Sequence, residues 1–427
     1  MIATAVAETQ EALRQLLLQH PKAGTIWVGF SGGLDSTALL WLASQIVPDT
    51  HPSSRLHALH INHNLQVDSA DWVEHCRSVA AQLNVEFHAV AVSPDSASEE
   101  DARDARYAVF EQYLGQGDLL LLGHHQNDQA ETFLMRLFRG AGVQGLSAMA
   151  PSRPLAKGTL VRPLLTHTRT QLEAVAAESG LKWIDDPSNM QTTYLRNWIR
   201  AILAAQLSQR WPDWSEKLAT TAQSCADAAQ LNAELAELDA GGAFQNPLAV
   251  NPELLRGKSR DLRLNNLVFH WLRSQDLPLA SRNQLDDLIT QLITSSTGCW
   301  KIAGSDVHWY QQQLWVSRPV ELQHTLELVL QEGAQQLSSG ELVGSIASRG
   351  LPSGLKVLLR PRQEGDIVKL PVGTQSVKKF MNANKIPPWL RDSWPLLEVE
   401  GEIISVVGHW SSEAWLVQGG LALNWRC

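Results

Sequence analysis

One junction limits what this chain can fold into. The continuous apolar run TIWVGF (25–30) stops at Ser31-Gly32-Gly33, and the helical pattern LDSTALLWLASQIV begins at once. Three more apolar runs, LHALHIN (56–62), VEFHAVAV (85–92) and DLLLLG (118–123), alternate with helical patterns near 36–46, 68–83 and 99–114. Strands alternating with helices of this length predict an α/β domain, a doubly wound parallel sheet with helices on both faces. Ligands of such sheets bind beyond the carboxyl ends of the strands, so informative residues are expected directly after each run.

The segment SGGLDST (31–37) has the composition of an anion loop. Ser31, Gly32 and Gly33 let backbone amides approach an anion at the positive end of a helix. It is not a Walker A loop, since no lysine follows to reach the outer phosphates. Asp35 would repel phosphate unless a cation intervened, so a Mg²⁺ between Asp35 and the phosphates is the expected resolution. The plain alternative is a glycine turn with Asp35 and Ser36 capping a helix.

SGGLDS resembles the pyrophosphate loop of the ATP-pyrophosphatase superfamily, whose members adenylate a substrate oxygen, expel pyrophosphate and let a nucleophile displace AMP. The resemblance implies ATP binding at Ser31, Gly32, Gly33, Leu34, Asp35 and Ser36. Further stretches are HINHNL (60–65), EEDARDARYAVF (99–110), GHHQNDQAETFLMRLFRGAGVQGL (123–146) and, downstream of RPLL (162–165), DDPSNMQTTYLRNWIR (185–200). In order and placement they are similar to bacterial tRNA(Ile)-lysidine synthetase across residues 25–200. RPRQEGDIVKLPVGTQSVKKFMNANKIPPWLRDSWPLL (360–397) resembles that family's C-terminal domain. Paired cysteines are absent, which separates the chain from sulfur-transferring relatives.

In that family ATP activates the 2-carbonyl oxygen of the wobble cytidine of a CAU-anticodon tRNA(Ile). The side-chain amine of free L-lysine then attacks that carbon, and decoding changes from AUG to AUA. The resemblance implies that Asp128 and Glu131 recognise lysine and that Asp35, Arg103, Arg106 and Asp128 serve the chemistry. Asp128 and Glu131 are three apart, so a helix starting near Asn127 puts both on one face. An acidic first turn complementing the helix dipole is the alternative. Arg103 and Arg106 share a face likewise and suit phosphoryl oxygens, or pair with Glu99, Glu100 or Asp104. Arg196 and Arg200, four apart, are expected to meet tRNA phosphate or the adenylate, unless they mark a solvated face.

His60, His63, His124 and His125 lie near strand ends, but no spacing supports a zinc site. His60, His63 and His124 are expected to line the pocket or to hold loops. Two positions depart from the family pattern. Gln66 stands where arginine is usual, and Asn127 replaces an acidic residue, which removes a supporting charge while Asp128 keeps the amino-acid contact.

Charge is unevenly distributed. The net charge of −9 disfavours a nucleic-acid binder if read alone. Residues 1–131 carry 6 basic and 17 acidic side chains, whereas 132–200 carry 9 and 4. Residues 201–348 carry 10 and 16, and 349–392 carry 9 and 3. The two basic islands flank the catalytic motifs and fill the C-terminal region. In the second, Arg360, Arg362, Lys378, Lys379 and Arg391 are expected to grip tRNA backbone, with Trp389 and Trp394 available for stacking.

No apolar run reaches the roughly 18 residues that span a bilayer. The first residues read as an amphipathic helix without the basic start of a secretory signal. Cys76, Cys225, Cys299 and Cys427 form no CxxC pair, and such free thiols suggest a reducing cytoplasm. The expected organisation is a catalytic domain (1–213), a mostly helical linker and middle tRNA-binding domain (214–335) and a small β-containing basic domain (336–427). Two rivals remain: an adenylating synthetase for a small substrate, which leaves the C-terminal island without a purpose, and a non-catalytic nucleotide-sensing tRNA binder, against which Asp35, Asp128 and Glu131 together speak. The oligomeric state is left open, a homodimer included.

Overall fold

In the computed structural model the strand–glycine–helix junction forms as β1 (Thr25–Gly29) and α2 (Leu34–Thr50), after an amphipathic α1 (Ile2–Leu18). Described residues are 2–62, 69–93, 99–185, 195–255, 260–277, 282–317, 325–337, 340–371 and 373–426. His63 and Gln66 lie outside them, as does 186–194 of the DDPSNM motif. The alternation continues through β2 (Arg55–Asn62), α3 (Ser69–Gln82), β3 (Glu86–Ala91), α4 (Glu99–Tyr113), β4 (Leu119–Leu121), α5 (Gln126–Phe138) and the short α6 (Val143–Leu146). A hairpin of β5 (Ser152–Leu155) and β6 (Gly158–Val161) precedes α7 (Arg169–Ser179). Then come α8 (Leu195–Trp198), a π-helical turn (Ile199–Leu203), α9 (Ala204–Arg210) and the long α10 (Trp214–Ala240).

The sheet order is β3-β2-β1-β4-β6-β5, parallel except for β5 at the edge. Alternate residues of β1 face opposite sides, as the pleat requires. Ile26 and Val28 pack with Leu39, Leu42 and Ile46 of α2, while Trp27 packs with Phe110 of α4 and Leu114 just past its end. The strand order reverses between β1 and β4, so the loops after these two strands meet at the sheet's switch point. The approach is close: a Cβ on Gly123, just past β4, would lie 3.1 Å from the Asp35 carbonyl oxygen.

The chain divides into two compact units, 1–232 and 233–427, so the division falls inside α10, beyond the cut expected at 213/214. In the second unit, β7 (Leu248–Ala249), α11 (Arg260–Ser274) and α12 (Arg282–Thr294) are followed by β8 (Thr297–Ile302), β9 (Ser305–Tyr310) and β10 (Gln313–Ser317). These strands form an antiparallel sheet ordered β7-β10-β9-β8, packed with the helices around the fully buried Trp271. The middle region is therefore mostly helical, as expected, with this small sheet packed on its helices.

The β-rich remainder begins earlier than expected, at β11 (Leu326–Val329), and residues 335/336 fall inside β12 (Gly333–Leu337). It continues with β13 (Gly340–Leu351), β14 (Lys356–Arg360), β15 (Ile367–Leu370), β16 (Gly373–Ser376) and α13 (Val377–Ala383). It ends with β17 (Leu396–Val399), β18 (Glu402–Val406), β19 (Trp410–Ser411), β20 (Val417–Gln418) and β21 (Leu421–Arg426). Among the described residues no helix is long and apolar enough to cross a membrane.

Candidate active site

The loop between β1 and α2 is held by its own serines. Ser36 Oγ accepts from the Ser31 amide at 3.2 Å and donates to the Gly33 carbonyl at 3.0 Å, while Ser31 Oγ accepts from the Gly33 amide at 3.3 Å. Gly32 has φ +84°, and a Cβ there would meet Cys76 Sγ at 2.7 Å, so only glycine fits. The Ile184 amide donates to the Gly32 carbonyl at 2.9 Å, laying the segment after α7 against the loop. His60 holds a loop, as expected. Its Nδ1 is 2.9 Å from the Phe30 carbonyl, and burial keeps its pKa below the ordinary histidine value. The neighbouring Cys76 thiol is buried and pushed up to about 12, so it is no nucleophile.

Beyond β4, His125 and Asp128 cap α5. His125 Nδ1 accepts from the Asn127 amide at 3.2 Å, and Asp128 Oδ2 accepts from the His125 amide at 3.0 Å. Asp128 and Glu131 do share one face, and both are buried. Two arginines from the far end of the unit reach them. Arg196 donates to Asp128 Oδ1 at 3.0 Å and to Glu131 Oε2 at 3.1 Å. Arg200, in the π-helical turn, donates to Glu131 Oε1 at 2.8 Å and to Asp128 Oδ1 at 3.0 Å. Burial alone would raise the Asp128 pKa, but His125 and the two arginines outweigh it and hold the carboxyl well below the usual range. Arg196 and Arg200 thus turn back onto the two acids and neutralise them, Arg196 largely covered and Arg200 still reaching solvent.

Asp35 faces this cluster. Burial raises its pKa, opposed by His125 and Arg169. Arg169, the first residue of α7, donates to Asp35 Oδ2 at 3.2 Å, and His125 Nε2 is 3.7 Å from the same oxygen. Asn127 Oδ1 accepts from the Arg169 amide at 3.2 Å. A neutral amide is sufficient for that bond. Among the described residues, His124 Nδ1 and His125 Nε2 are buried without a hydrogen-bond partner.

A second cationic patch surrounds Tyr107 on α4. The guanidinium carbons of Arg103 and Arg153 lie 4.8 and 5.2 Å from its ring centre, and Arg103 Nη2 is 3.4 Å from its hydroxyl. Burial pushes the Tyr107 pKa up, yet Arg103, Arg162 and Arg153 bring it below the ordinary tyrosine range. Arg162 is buried, with Nη1 donating to the Ala150 carbonyl at 2.7 Å and Nε unpaired among the described residues. Arg103 and Arg106 are exposed on α4. Arg153, Arg162 and Arg169 carry no role in the sequence reading. The signal for Arg162 and Arg169 is RPLL and the residues after it, which follow β6, a parallel strand (GTLV) with only two apolar residues to mark it, while Arg153 lies ahead of it in β5.

The C-terminal island separates into two groups. Lys378 and Lys379 are exposed at the start of α13. Arg360, expected on the tRNA backbone, is buried and turned inward, donating to Asp366 at 2.8 Å and Glu398 at 2.6 Å. Arg362 pairs with Asp392, and Arg391 Nε donates to the Ile386 carbonyl at 2.7 Å. The two tryptophans are also engaged. Trp394 donates to the Val407 carbonyl at 3.0 Å, and Trp389 stacks on His308 of β9 with ring centres 3.8 Å apart and planes 5° apart.

The comparisons agree along the whole length. Residues 6–207 match the PP-loop domain, residues 257–315 the TilS substrate binding domain and residues 357–425 the TilS substrate C-terminal domain. A tRNA(Ile)-lysidine synthase of Pseudomonas putida is 35% identical over 95% of this chain and 96% of its own. One of Pseudomonas syringae is 36% identical over 92% and 91%, and one of Coxiella burnetii 32% identical over 96% and 94%. At this identity and coverage, the chain belongs to the tRNA(Ile)-lysidine synthase family.

Proposed function

We propose that this enzyme joins free L-lysine to the 2-carbon of the wobble cytidine of a CAU-anticodon tRNA(Ile) at the expense of ATP, in the cytoplasm. The observation that carries the reading is the placement of the acid pair Asp128–Glu131 beside Asp35 of the nucleotide loop, at the switch point of the sheet. In the first step the cytidine 2-oxygen bonds the α-phosphorus of ATP as the bond to pyrophosphate breaks. In the second, the lysine side-chain nitrogen bonds carbon 2, loses a proton and displaces AMP.

The chain's residues suit both steps. The amides of Ser31–Gly33 and the α2 terminus receive phosphate oxygens. Arg169 adds a fixed positive charge there, and Arg103, Arg153 and Arg162 present donors to an anion. Asp128 is kept ionised by His125, Arg196 and Arg200, and Glu131 pairs with the same two arginines, so a substrate ammonium can replace a guanidinium without leaving a buried charge unpaired. Arginines released in that exchange are free to meet phosphate. The Asp35 carboxylate also fits Mg²⁺, which takes hard oxygens and is held by one or two carboxylates together with substrate phosphates. Bound there, the ion would neutralise phosphate charge.

In the C-terminal region the basic residues offered to tRNA are Arg362, Lys378, Lys379 and Arg391, with Arg360 serving the domain's interior. The direct test is incubation with ATP, Mg²⁺ and labelled lysine, offering the CAU isoleucine tRNA or a methionine tRNA. Label on the isoleucine tRNA alone supports the proposal. Its absence from a folded preparation that still binds that tRNA overturns it.

A further inference from the structure

The nucleotide loop lies at the carboxyl ends of the parallel strands. At their amino ends, the pairing of His57 with Glu86 and of Leu59 with His88 sets His57 of β2 and Glu86 and His88 of β3 on one face of the sheet. His57 Nδ1 is 2.9 Å from His88 Nε2 and 3.6 Å from Glu86 Oε2. His88 Nε2 is 3.3 Å from Glu86 Oε1. A tetrahedral ion with bonds of about 2.0–2.2 Å to nitrogen and oxygen holds its ligand atoms about 3.3 Å apart. The three side chains already stand at close to that spacing.

We propose that His57, Glu86 and His88 form a binding site for a divalent cation of the zinc class. Two imidazole nitrogens and one carboxylate are the donors such ions prefer, whereas Mg²⁺ demands oxygen. Each ring ligates through the nitrogen facing its neighbour and keeps its single proton on the other one. The rings are held for this. Trp27, paired with His57 across β1 and β2, lies 4.7 Å from the His57 ring and 5.1 Å from the His88 ring, and Tyr113 closes on Trp27 at 5.4 Å. Glu86 is largely exposed, which leaves an entry path and room for a water as fourth ligand. The ion would clamp β3, the sheet's edge strand, onto β2.

Another group of donors, Cys299, Asp306 and His308, lies across β8 and β9. His308 Nε2 is there 2.9 Å from Ser317 Oγ, so Cys299→Ser serves as the background that removes this group's thiol. The test uses the full chain without an affinity tag, stripped by a chelator and dialysed against buffered Zn²⁺ with Mg²⁺ in excess. Bound zinc is measured by elemental analysis, and Co²⁺ substitution reports the coordination through its visible absorption.

The Cys299→Ser protein should take up one equivalent and give the intense spectrum of four-coordinate Co²⁺. His88→Ala and Glu86→Gln should each weaken zinc binding at least about tenfold, since outer-shell changes alone cost that much. Glu86→Gln alters an exposed side chain and keeps the test valid should His88→Ala not fold. Failure of the parent to take up zinc would overturn the site, because the pair would then be a hydrogen-bonded histidine couple. Undiminished uptake in Glu86→Gln and in a folded His88→Ala would overturn it equally.

Discussion

Arg169 stands 3.2 Å from the carboxylate of Asp35, although 134 residues separate them in the chain. The contact ties the first residue of α7 to the nucleotide loop. It places a cation beside the one acid of that loop before any phosphate arrives. Loss of a charge-assisted hydrogen bond costs about 1.5–3 kcal/mol. Arg169→Gln is therefore expected to lower kcat/KM for ATP by roughly 10–100-fold, with lysine KM little changed. Pyrophosphate release assayed at varied ATP checks this. Unaltered ATP kinetics would show that Arg169 has no part in ATP binding.

Glu131 is the most buried acid of the site, and two arginines depend on it. Glu131→Gln keeps the shape and removes the charge, leaving Arg196 with Asp128 alone. Breaking a buried ion pair from one side costs about 3–5 kcal/mol. The lower end applies here because Arg200 reaches solvent. The expected result is a loss of about 3 kcal/mol in urea unfolding and a lysine KM raised more than the ATP KM. The pair Glu131→Gln with Arg200→Gln should be less destabilised than the single changes added together. Additive losses would mean the two side chains are not coupled.

His124 supplies a pH test. Its pKa is pushed down to about 3, chiefly by burial, with Asp128 pulling it up and Arg162, Arg196 and Arg103 adding to the fall. Between the ordinary value of 6.5 and about 3, the unfolded chain binds a proton that the folded chain refuses. Folding stability must fall as pH drops through that window and is fully present above it. His124→Asn should flatten part of this slope, and comparing the two proteins isolates the one ring from other buried histidines. Parallel curves for parent and variant would place a proton on His124 in the folded state.

Much of this site was legible because its residues directly follow strands that are long runs of apolar side chains. SGGLDS after β1 and the HHQNDQAE segment after β4 are both found by that rule. The carboxylate spacing of Asp128 and Glu131 was equally plain, being a property of one helix. What the sequence could not show was which groups meet across it. Arg196 and Arg200 read as a pair for phosphate, since nothing local points them back across more than sixty residues at Glu131. Arg360 was counted with the exposed basic island because Glu398 is brought to it only by the pairing of β14 with β17, and Asp366 only by the turn between β14 and β15. Strand β6, with the sequence GTLV, holds only two consecutive apolar residues, too short a run to be read as a buried strand, whereas β4, shorter still, sits in the run LLLL. The cationic residues beyond it went unassigned for that reason.

The two kinds of basic residue in the C-terminal region can be told apart by salt. Lys378 and Lys379 are exposed side chains at the start of a helix, free to lie along a phosphate backbone. Each phosphate contact contributes about 1 to the slope of log affinity against log salt. Replacing both lysines by alanine should therefore reduce the slope for tRNA binding by about 2, with thermal stability preserved. Arg360→Ala should behave in the opposite way. It leaves Asp366 and Glu398 facing each other in the interior, so the unfolding midpoint drops while any folded fraction binds tRNA with an unchanged slope. Binding measured at several salt concentrations, beside thermal melts of all three proteins, separates the cases. A reduced slope for a folded Arg360→Ala protein would show that this arginine leaves its acidic partners to meet the tRNA.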